Sequence, residues 1–166
     1  MYKNNMTFFT DYLEDTVWCN DRTFVSSGFN GKDEVAGLLN SSTEDRYSNY
    51  RIQLNCSNKY DRFTVDNKNG NGKLKYPVAL LTVDELMLAG MNNKNDVNVY
   101  LRTNDYGFWT MSTVYWGGTG GFYGFRNIIS NEDVDTQYLV RPSISLKNSL
   151  KYVTGNGTVN NPYVIE

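Results

Sequence analysis

The spacing of apolar residues changes along the first third of the chain, and each spacing predicts a different element. Between residues 5 and 13 apolar side chains recur at helical intervals, which predicts a short N-terminal helix. Residues 16 to 25 have the pattern of an extended segment, whereas the polar stretch from 26 to 50 predicts a loop with one helical turn. Ile52 and Leu54 alternate with polar neighbours, which predicts a strand.

The clearest local pattern is the stretch YPVALLTVDELMLAGM. It contains a short apolar run, Val78 to Leu81, that predicts a buried strand. Thr82 then stands three residues before Glu85, which is the spacing of a capping box at the start of a helix. The helix is predicted to run from Val83 to Ala89, and Gly90 to end it.

The rest of the chain predicts short antiparallel strands joined by glycine-rich turns, the last two at VRPSISL and NNPYVIE. Trp109 and Met111 alternate with polar neighbours and are predicted to point into the core. The pattern shows no internal repeat and no linker long enough to divide the chain. It predicts one α+β domain over residues 1–166, with two short helices, a small twisted antiparallel sheet and long irregular loops.

The segment from Tyr100 to Asn127 concentrates aromatic residues. Five of its rings stand among five glycines in YWGGTGGFYGF, namely Tyr115, Trp116, Phe122, Tyr123 and Phe125. Glycine-rich turns cannot bury five rings on one side, so some rings are expected to face outward. Rigid aromatic side chains on adaptable loops give binding surfaces a large contact area at low entropic cost. The segment therefore predicts a binding surface, and the alternative is that these rings only build the core.

Composition excludes several classes of function. The net charge is −2 and the pI about 5.2, which argues against nucleic acid as a partner because that partner requires a basic face. The absence of histidine excludes a Ser-His-Asp triad, a Cys-His pair and a histidine-ligated zinc ion. No apolar run is long enough for a membrane span, so direct membrane insertion is not expected either. No signal peptide is visible in the sequence.

The two cysteines, Cys19 and Cys56, are either buried free thiols or one disulfide. Two thiols cannot complete a four-cysteine zinc site. A disulfide would close a segment rich in Ser, Gly and Asn and would stabilise the fold by about 4 kcal/mol through chain entropy. Because that segment has few core residues, the disulfide is the favoured interpretation, and with it an oxidising compartment.

Two polar motifs invite comparison with cation sites. NKNGNGKL (67–74) has the spacing of a calcium loop, but its candidate ligands are uncharged and its twelfth position is Val78, which favours a solvated turn. In SNEDVDT, Asp133 and Asp135 would share one face of a strand. There they would bind calcium or a basic partner, or form a solvated face. We expect the fold to need neither a metal nor a cofactor.

The chain resembles a group of bacterial surface proteins in four stretches, namely YPVALLTVDELMLAG, FWTMS, LVRPSISLK and GNGTVNNPYVI. Their last domain is similar to the C-type lectin fold, in the branch that includes formylglycine-generating enzymes and the variable proteins of diversity-generating retroelements. DTVWCNDR and LNCSNKYDRFTV resemble the N-terminal part of the same domain. The resemblance implies that the chain is a single C-type-lectin-like domain and that this domain is the C-terminal part of a longer surface protein.

In that group the stretch corresponding to Thr113–Leu139 is highly substitutable and faces outward. The enzymes of the branch use reactive cysteines late in the chain, where this chain has none, so the resemblance implies no catalytic activity. It implies instead a receptor- or adhesin-type module that binds a protein or glycan through a surface between residues 104 and 138. The alternative is a structural tip or stalk domain of a pilus-like protein. Arg141 is expected to belong to the framework, in an ion pair. The predicted contact residues are Tyr106, Tyr115, Trp116, Phe122, Tyr123, Arg126, Asn127, Asp133, Asp135 and Tyr138.

Overall fold

The computed structural model describes residues 10–23, 39–91, 101, 106–117, 119–125 and 129–166, apart from the side chains of residues 39–40, 115–117, 119–123 and 125. Within these ranges the helices are α1 (Ser42–Ser48) and α2 (Val83–Leu88), with single 3-10 turns at Thr10–Tyr12 and Lys59–Asp61. The strands are β1 (Trp18–Cys19), β2 (Leu39–Asn40), β3 (Arg62–Phe63), β4 (Val78–Ala79), β5 (Phe108–Gly117), β6 (Thr119–Phe125), β7 (Ile129–Asp133), β8 (Ser143–Ile144), β9 (Tyr152–Thr154) and β10 (Val164–Ile165). The protein is a small α+β protein with two helices and small antiparallel sheets, which confirms the predicted class.

Among the described strands, the largest sheet is antiparallel and has the order β2–β5–β6–β7. Its two central strands contain 10 and 7 residues and form one hairpin from the aromatic segment. The prediction of short strands joined by glycine-rich turns is wrong here, because three of the glycines lie inside β6 itself. The remaining strands pair in twos, as β1–β3, β4–β8 and β9–β10. The last two predicted strands are confirmed as β8 and β10, and the apolar run before α2 as the two-residue β4, which is only half-buried.

The buried face of β5 is the opposite of the predicted one. Trp109 and Met111 are only half-buried. The buried positions are Phe108, Thr110, Ser112 and Val114. Polar side chains occupy this inner face because at least one of them accepts a hydrogen bond from the first turn of a helix. The Ser112 hydroxyl accepts a 3.0 Å hydrogen bond from the amide of Val83, the first residue of α2, which has no partner within the helix.

Both helices begin at a side-chain cap. Thr82 and Glu85 form the predicted capping box at α2, and Gly90 follows the helix with a φ of 95°. α1 lies in the stretch from 26 to 50 that the sequence predicts to be a loop, and the prediction is wrong for these residues. Its signal was present in the same form, since Ser41 stands three residues before Glu44 and its hydroxyl accepts a 3.1 Å hydrogen bond from the Glu44 amide.

The strand predicted around Ile52 and Leu54 does not form, and both side chains are about half exposed. The backbone of this segment is bound to the helices instead. The amide of Arg51 donates to the carbonyl of Arg46 at 2.9 Å, and the amide of Gln53 donates to a carboxylate oxygen of Asp84 at 2.8 Å.

A buried ion triplet joins α1 to α2 and to the segment after β1. The Arg46 guanidinium donates two hydrogen bonds, of 3.0 and 2.9 Å, to the carboxylate of Asp84 and one of 2.6 Å to Asp21. Burial raises the pKa of the Asp21 carboxyl, but hydrogen bonds from Thr23, Arg46 and Ser42 outweigh burial and hold that pKa below its ordinary value. Three charges are therefore fixed beneath the surface by mutual hydrogen bonds.

The predicted disulfide between Cys19 and Cys56 is confirmed. It links β1 to the segment before the second 3-10 turn, where Cys56 is buried. The predicted N-terminal helix lies mostly outside the described residues; its last part forms a 3-10 turn, and Leu13 makes a β-bridge with Leu146.

The core lies between the two helices and one face of the large sheet. Its buried cluster is Tyr47, Val83, Leu86, Met87, Met91, Leu101, Phe108, Val114 and Ile129. The aromatic hairpin is thus anchored at its base, where Phe108 contributes to the core.

Candidate functional site

The predicted contact residues fall into two groups. One group has side chains that the structure does not describe, and the other has described side chains. In the first group, four residues lie in β5 and β6, namely Tyr115, Trp116, Phe122 and Tyr123. In the pairing of these strands, Tyr115 is opposite Gly121 and Trp116 is opposite Gly120. Arg126 and Asn127 lie wholly outside the described residues. The structure therefore brings the first four together in one hairpin as backbone positions only.

Tyr138 is held rigidly on the sheet. Its ring occupies the space beside Gly107 and Gly124, where a β-carbon on either residue would overlap ring atoms. Its hydroxyl donates a 2.7 Å hydrogen bond to the carboxylate of Glu132. On its other side the ring lies 5.3 Å from the ring of Trp109, at an interplanar angle of 56°. The ring therefore fits beside Gly107, just before β5, and Gly124, within β6, because neither residue has a side chain.

The remaining predicted residues are exposed. Tyr106 is 67% exposed, and the side chains of Asp133 and Asp135 are also open to solvent. The two aspartates do not share a strand face as predicted, because β7 ends at Asp133 and the chain then turns, with the Thr136 amide donating to the carbonyl of Asp133 at 2.9 Å. Asp135 stands in that turn.

An apolar groove lies beside Trp109, at a place that the sequence did not predict. It consists of two depressions, of about 290 and 390 Å³, that share Leu80 and Val140. Val134 and Val140 on its walls are 60% and 67% exposed, although both are large apolar residues. The groove is lined by Asn20, Phe63, Leu74, Val78, Ala79, Leu80, Trp109, Thr110, Met111, Val134, Val140 and Pro142. The corresponding signal in the sequence is Val140, an apolar residue next to Arg141.

The calcium-like loop holds itself together through its own polar groups. The carboxylate of Asp66 accepts hydrogen bonds from the amides of Lys68 and Asn69, which lower the pKa of that carboxyl. The side-chain oxygen of Asn71 accepts from the amide of Lys73 at 3.0 Å. Within the described ranges, no group of three or more His, Cys, Asp or Glu side chains is placed to hold a metal ion.

The framework residue Arg141 is half-buried, but its expected ion pair is absent from the described residues. Its guanidinium donates a 2.8 Å hydrogen bond to the carbonyl of Leu101 and lies 5.2 Å from the centre of the Phe108 ring. The ring face and the carbonyl supply partial negative charge where a carboxylate was expected.

Comparisons with protein-family models, curated proteins and solved structures find no significant match to this chain. In the part of the chain that the structure describes, neither helix has the length and hydropathy that crossing a membrane requires.

Proposed function

We propose that this protein is a non-enzymatic ligand-binding module with a C-type-lectin-like fold. It acts outside the cell, as a receptor or adhesin, and recognises a protein or glycan through the surface between residues 104 and 138. The observation that carries the proposal is the fixed position of Trp109. This half-buried ring is held by Tyr138 on one side and opens on the other to an apolar groove with exposed walls.

This arrangement has the physical properties of a binding surface. An aromatic ring that is already fixed loses little conformational entropy when a ligand covers it. Exposed apolar residues at Val134, Leu139 and Val140 are 60%, 55% and 67% open, so a partner that covers them removes apolar surface from water.

The proposed contacts keep the predicted set with one change of role. Tyr138 positions Trp109 and the glycine-containing strands, since its hydroxyl is bonded to Glu132 and its ring is packed. The proposed contacts with ligand are Tyr106, Tyr115, Trp116, Phe122, Tyr123, Arg126, Asn127, Asp133 and Asp135, together with the groove residues Trp109, Val134 and Val140.

Two further observations support the fold and the location. The α+β composition, with two short helices and a hairpin from the aromatic segment, is compatible with the C-type-lectin-like resemblance of the sequence. The disulfide between Cys19 and Cys56 is compatible with an oxidising, extracellular environment.

The test is a screen of the purified protein against arrays of glycans and of extracellular proteins. The Val140→Asp variant places a charge in the groove, and Val159→Asp is the matched control because Val159 is 98% exposed elsewhere in the chain. We expect a ligand that binds the wild type and the control but not Val140→Asp. Equal binding by all three proteins, or no binding on either array, would contradict the proposal.

A second candidate, the structural tip or stalk domain, is favoured by the C-terminal hairpin. β9 and β10 form a separate two-stranded sheet in which Tyr152 and Tyr163 are 63% and 64% exposed. An isolated hairpin of this kind is marginally stable by itself, and packing against a neighbouring module would stabilise it. A tip domain would bind nothing on the arrays.

A further inference from the structure

A second concave site lies beside Arg141, and Pro142 is the one lining residue that it shares with the apolar groove. It is a cleft of about 530 Å³ between the segment that leads into β1, the start of α2 and the segment around β8. Its lining residues are Thr16, Val17, Trp18, Leu81, Glu85, Leu101, Arg141, Pro142, Ser143, Ile144 and Ser145. Its volume is large enough for a dipeptide or a single sugar residue.

The cleft contains the positive charge of Arg141, which has no ion-pair partner among the described residues. Among the described residues, no carboxylate lies within 4.0 Å of the Arg141 guanidinium. A guanidinium has five N–H donors, and the described hydrogen bond to Leu101 uses one of them. A half-buried charge of this kind is stabilised by an anion that reaches it in the cleft.

The cleft is also lined by residues whose side chains can donate hydrogen bonds, namely Trp18, Ser143 and Ser145. Trp18 is 5% exposed, and its indole N–H has no acceptor among the described residues. A buried donor without a partner is costly, and most native structures avoid it. The hydroxyls of Ser143 and Ser145 line the cleft as well and make no hydrogen bond with a described residue.

Glu85 limits the ligand chemistry further. One of its carboxylate oxygens accepts hydrogen bonds from the amide and the hydroxyl of Thr82, which fixes the side chain at the start of α2. Its negative charge disfavours a ligand with several negative charges, such as a phosphate. It can also accept a hydrogen bond from an N–H or O–H group of a ligand that carries one negative charge.

We propose that this cleft binds the carboxylate of a small ligand, with that carboxylate on Arg141 and the apolar part of the ligand against Val17, Leu81 and Pro142. The hydroxyls of Ser143 and Ser145, which line the same cleft, are further donors for its oxygens. A peptide C-terminus and an acidic sugar share this chemistry. The proposal does not depend on the aromatic surface.

The probes are two acids, N-acetyl-alanyl-alanine and N-acetylneuraminic acid. Each is compared with an uncharged derivative, the C-terminal amide of the first and the methyl ester of the second. The amide and the ester lack the negative charge and otherwise resemble the two acids. Binding is followed by NMR of the ¹⁵N-labelled protein, with the Trp18 indole resonance assigned from Trp18→Phe. We expect at least one acid to shift that resonance and the amides of Ser143 and Ser145 at millimolar concentration, and its uncharged partner to leave them unchanged. Which acid binds identifies the source of the carboxylate.

Three variants test whether Arg141 binds the carboxylate of the acid. Arg141→Met should weaken binding of the acid by about tenfold or more, because a charge-assisted hydrogen bond is lost. Glu85→Gln keeps the capping interaction and should tighten binding, since it removes a repulsive charge. Arg51→Met, at an exposed arginine, should change nothing.

If Arg141→Met fails to fold, the affinity of Glu85→Gln for the acid is the deciding measurement. The proposal is wrong if neither acid binds, if acid and uncharged partner bind equally, if folded Arg141→Met binds like the wild type, or if Glu85→Gln does not bind more tightly.

Discussion

The ring of Tyr138 fills the space beside Gly124, on the strand that pairs with β7. A β-carbon at residue 124 would overlap two atoms of that ring, while the Tyr138 hydroxyl is held by Glu132 at 2.7 Å. The ring can therefore move aside only by giving up its hydrogen bond or its contact with Trp109. This contact explains why glycine is required inside a strand, a position that it normally weakens.

Gly124→Ala is expected to lower the free energy of unfolding by about 1–3 kcal/mol, the usual cost of forcing an extra carbon into a packed site. Urea unfolding followed by fluorescence measures it. The same change made in a Tyr138→Ala background should cost much less, because the obstructing ring is gone. An equal cost in both backgrounds would show that the ring does not make the site intolerant of a side chain.

Arg46→Met is expected to destabilise the protein by about 3–5 kcal/mol, because it leaves two buried carboxylates without their counter-charge. Arg51→Met is the matched control, since the Arg51 side chain is 62% exposed and its pair with Asp45 lies at the surface. Such exposed pairs contribute about 0–1 kcal/mol. Similar losses for the two variants in urea would mean that the ion triplet does not lock the helices together.

Stability is expected to fall in acid through Asp21. Its carboxyl has a lower pKa in the folded protein than in the unfolded chain, so the unfolded state binds more protons at low pH. The stabilisation is complete above the unfolded pKa of about 3.9 and is lost as the pH falls through the folded value. The pKa of the Asp66 carboxyl is also lowered in the folded protein, so its protonation in acid lowers stability as well.

Urea unfolding at a series of pH values below neutrality tests this, with Asp21→Asn as the comparison. The variant should be less stable at pH 7 and should show a shallower loss of stability in acid. A loss of stability as steep as that of the wild type would exclude Asp21 as a contributor.

Reduction of the disulfide between Cys19 and Cys56 is expected to cost about 4 kcal/mol, since the unfolded chain regains the entropy of a long open loop. The free energy of unfolding of the wild type is compared with and without reductant. The double variant Cys19→Ser, Cys56→Ser, which cannot form the bond, is a second comparison. Unchanged stability on reduction would mean that the bond contributes nothing to holding this segment. Mass spectrometry of non-reduced peptides checks the pairing itself.

The parts of the fold that could be predicted are those specified by adjacent residues. The capping box of Thr82 and Glu85 is a local pattern, and it fixed the start of α2 correctly. α1 carries the same kind of local signal at Ser41 and Glu44, so its start could have been predicted from the sequence as well.

The face of β5 could not be predicted from its own residues. Its inner face includes Ser112, which is buried because it satisfies the start of a helix that lies 29 positions away in the chain. Hydrophobicity alone therefore selected Trp109 and Met111 as the inner face. The apolar groove was missed for a related reason, since Leu80 and Val140 meet only once β4 and β8 pair.

The central claim is that the aromatic residues of the hairpin are displayed for binding rather than used as core. The most direct measurement is the free energy of unfolding, from urea titrations, of Tyr115→Ala, Trp116→Ala and Tyr123→Ala. Phe108→Ala is the buried control, because Phe108 is 2% exposed in the core cluster.

We predict that the control loses about 3–5 kcal/mol, while at least two of the other three variants stay within about 0.5 kcal/mol of the wild type. If all four variants lose stability alike, the aromatic hairpin is part of the core, and the claim that it forms a binding surface is contradicted.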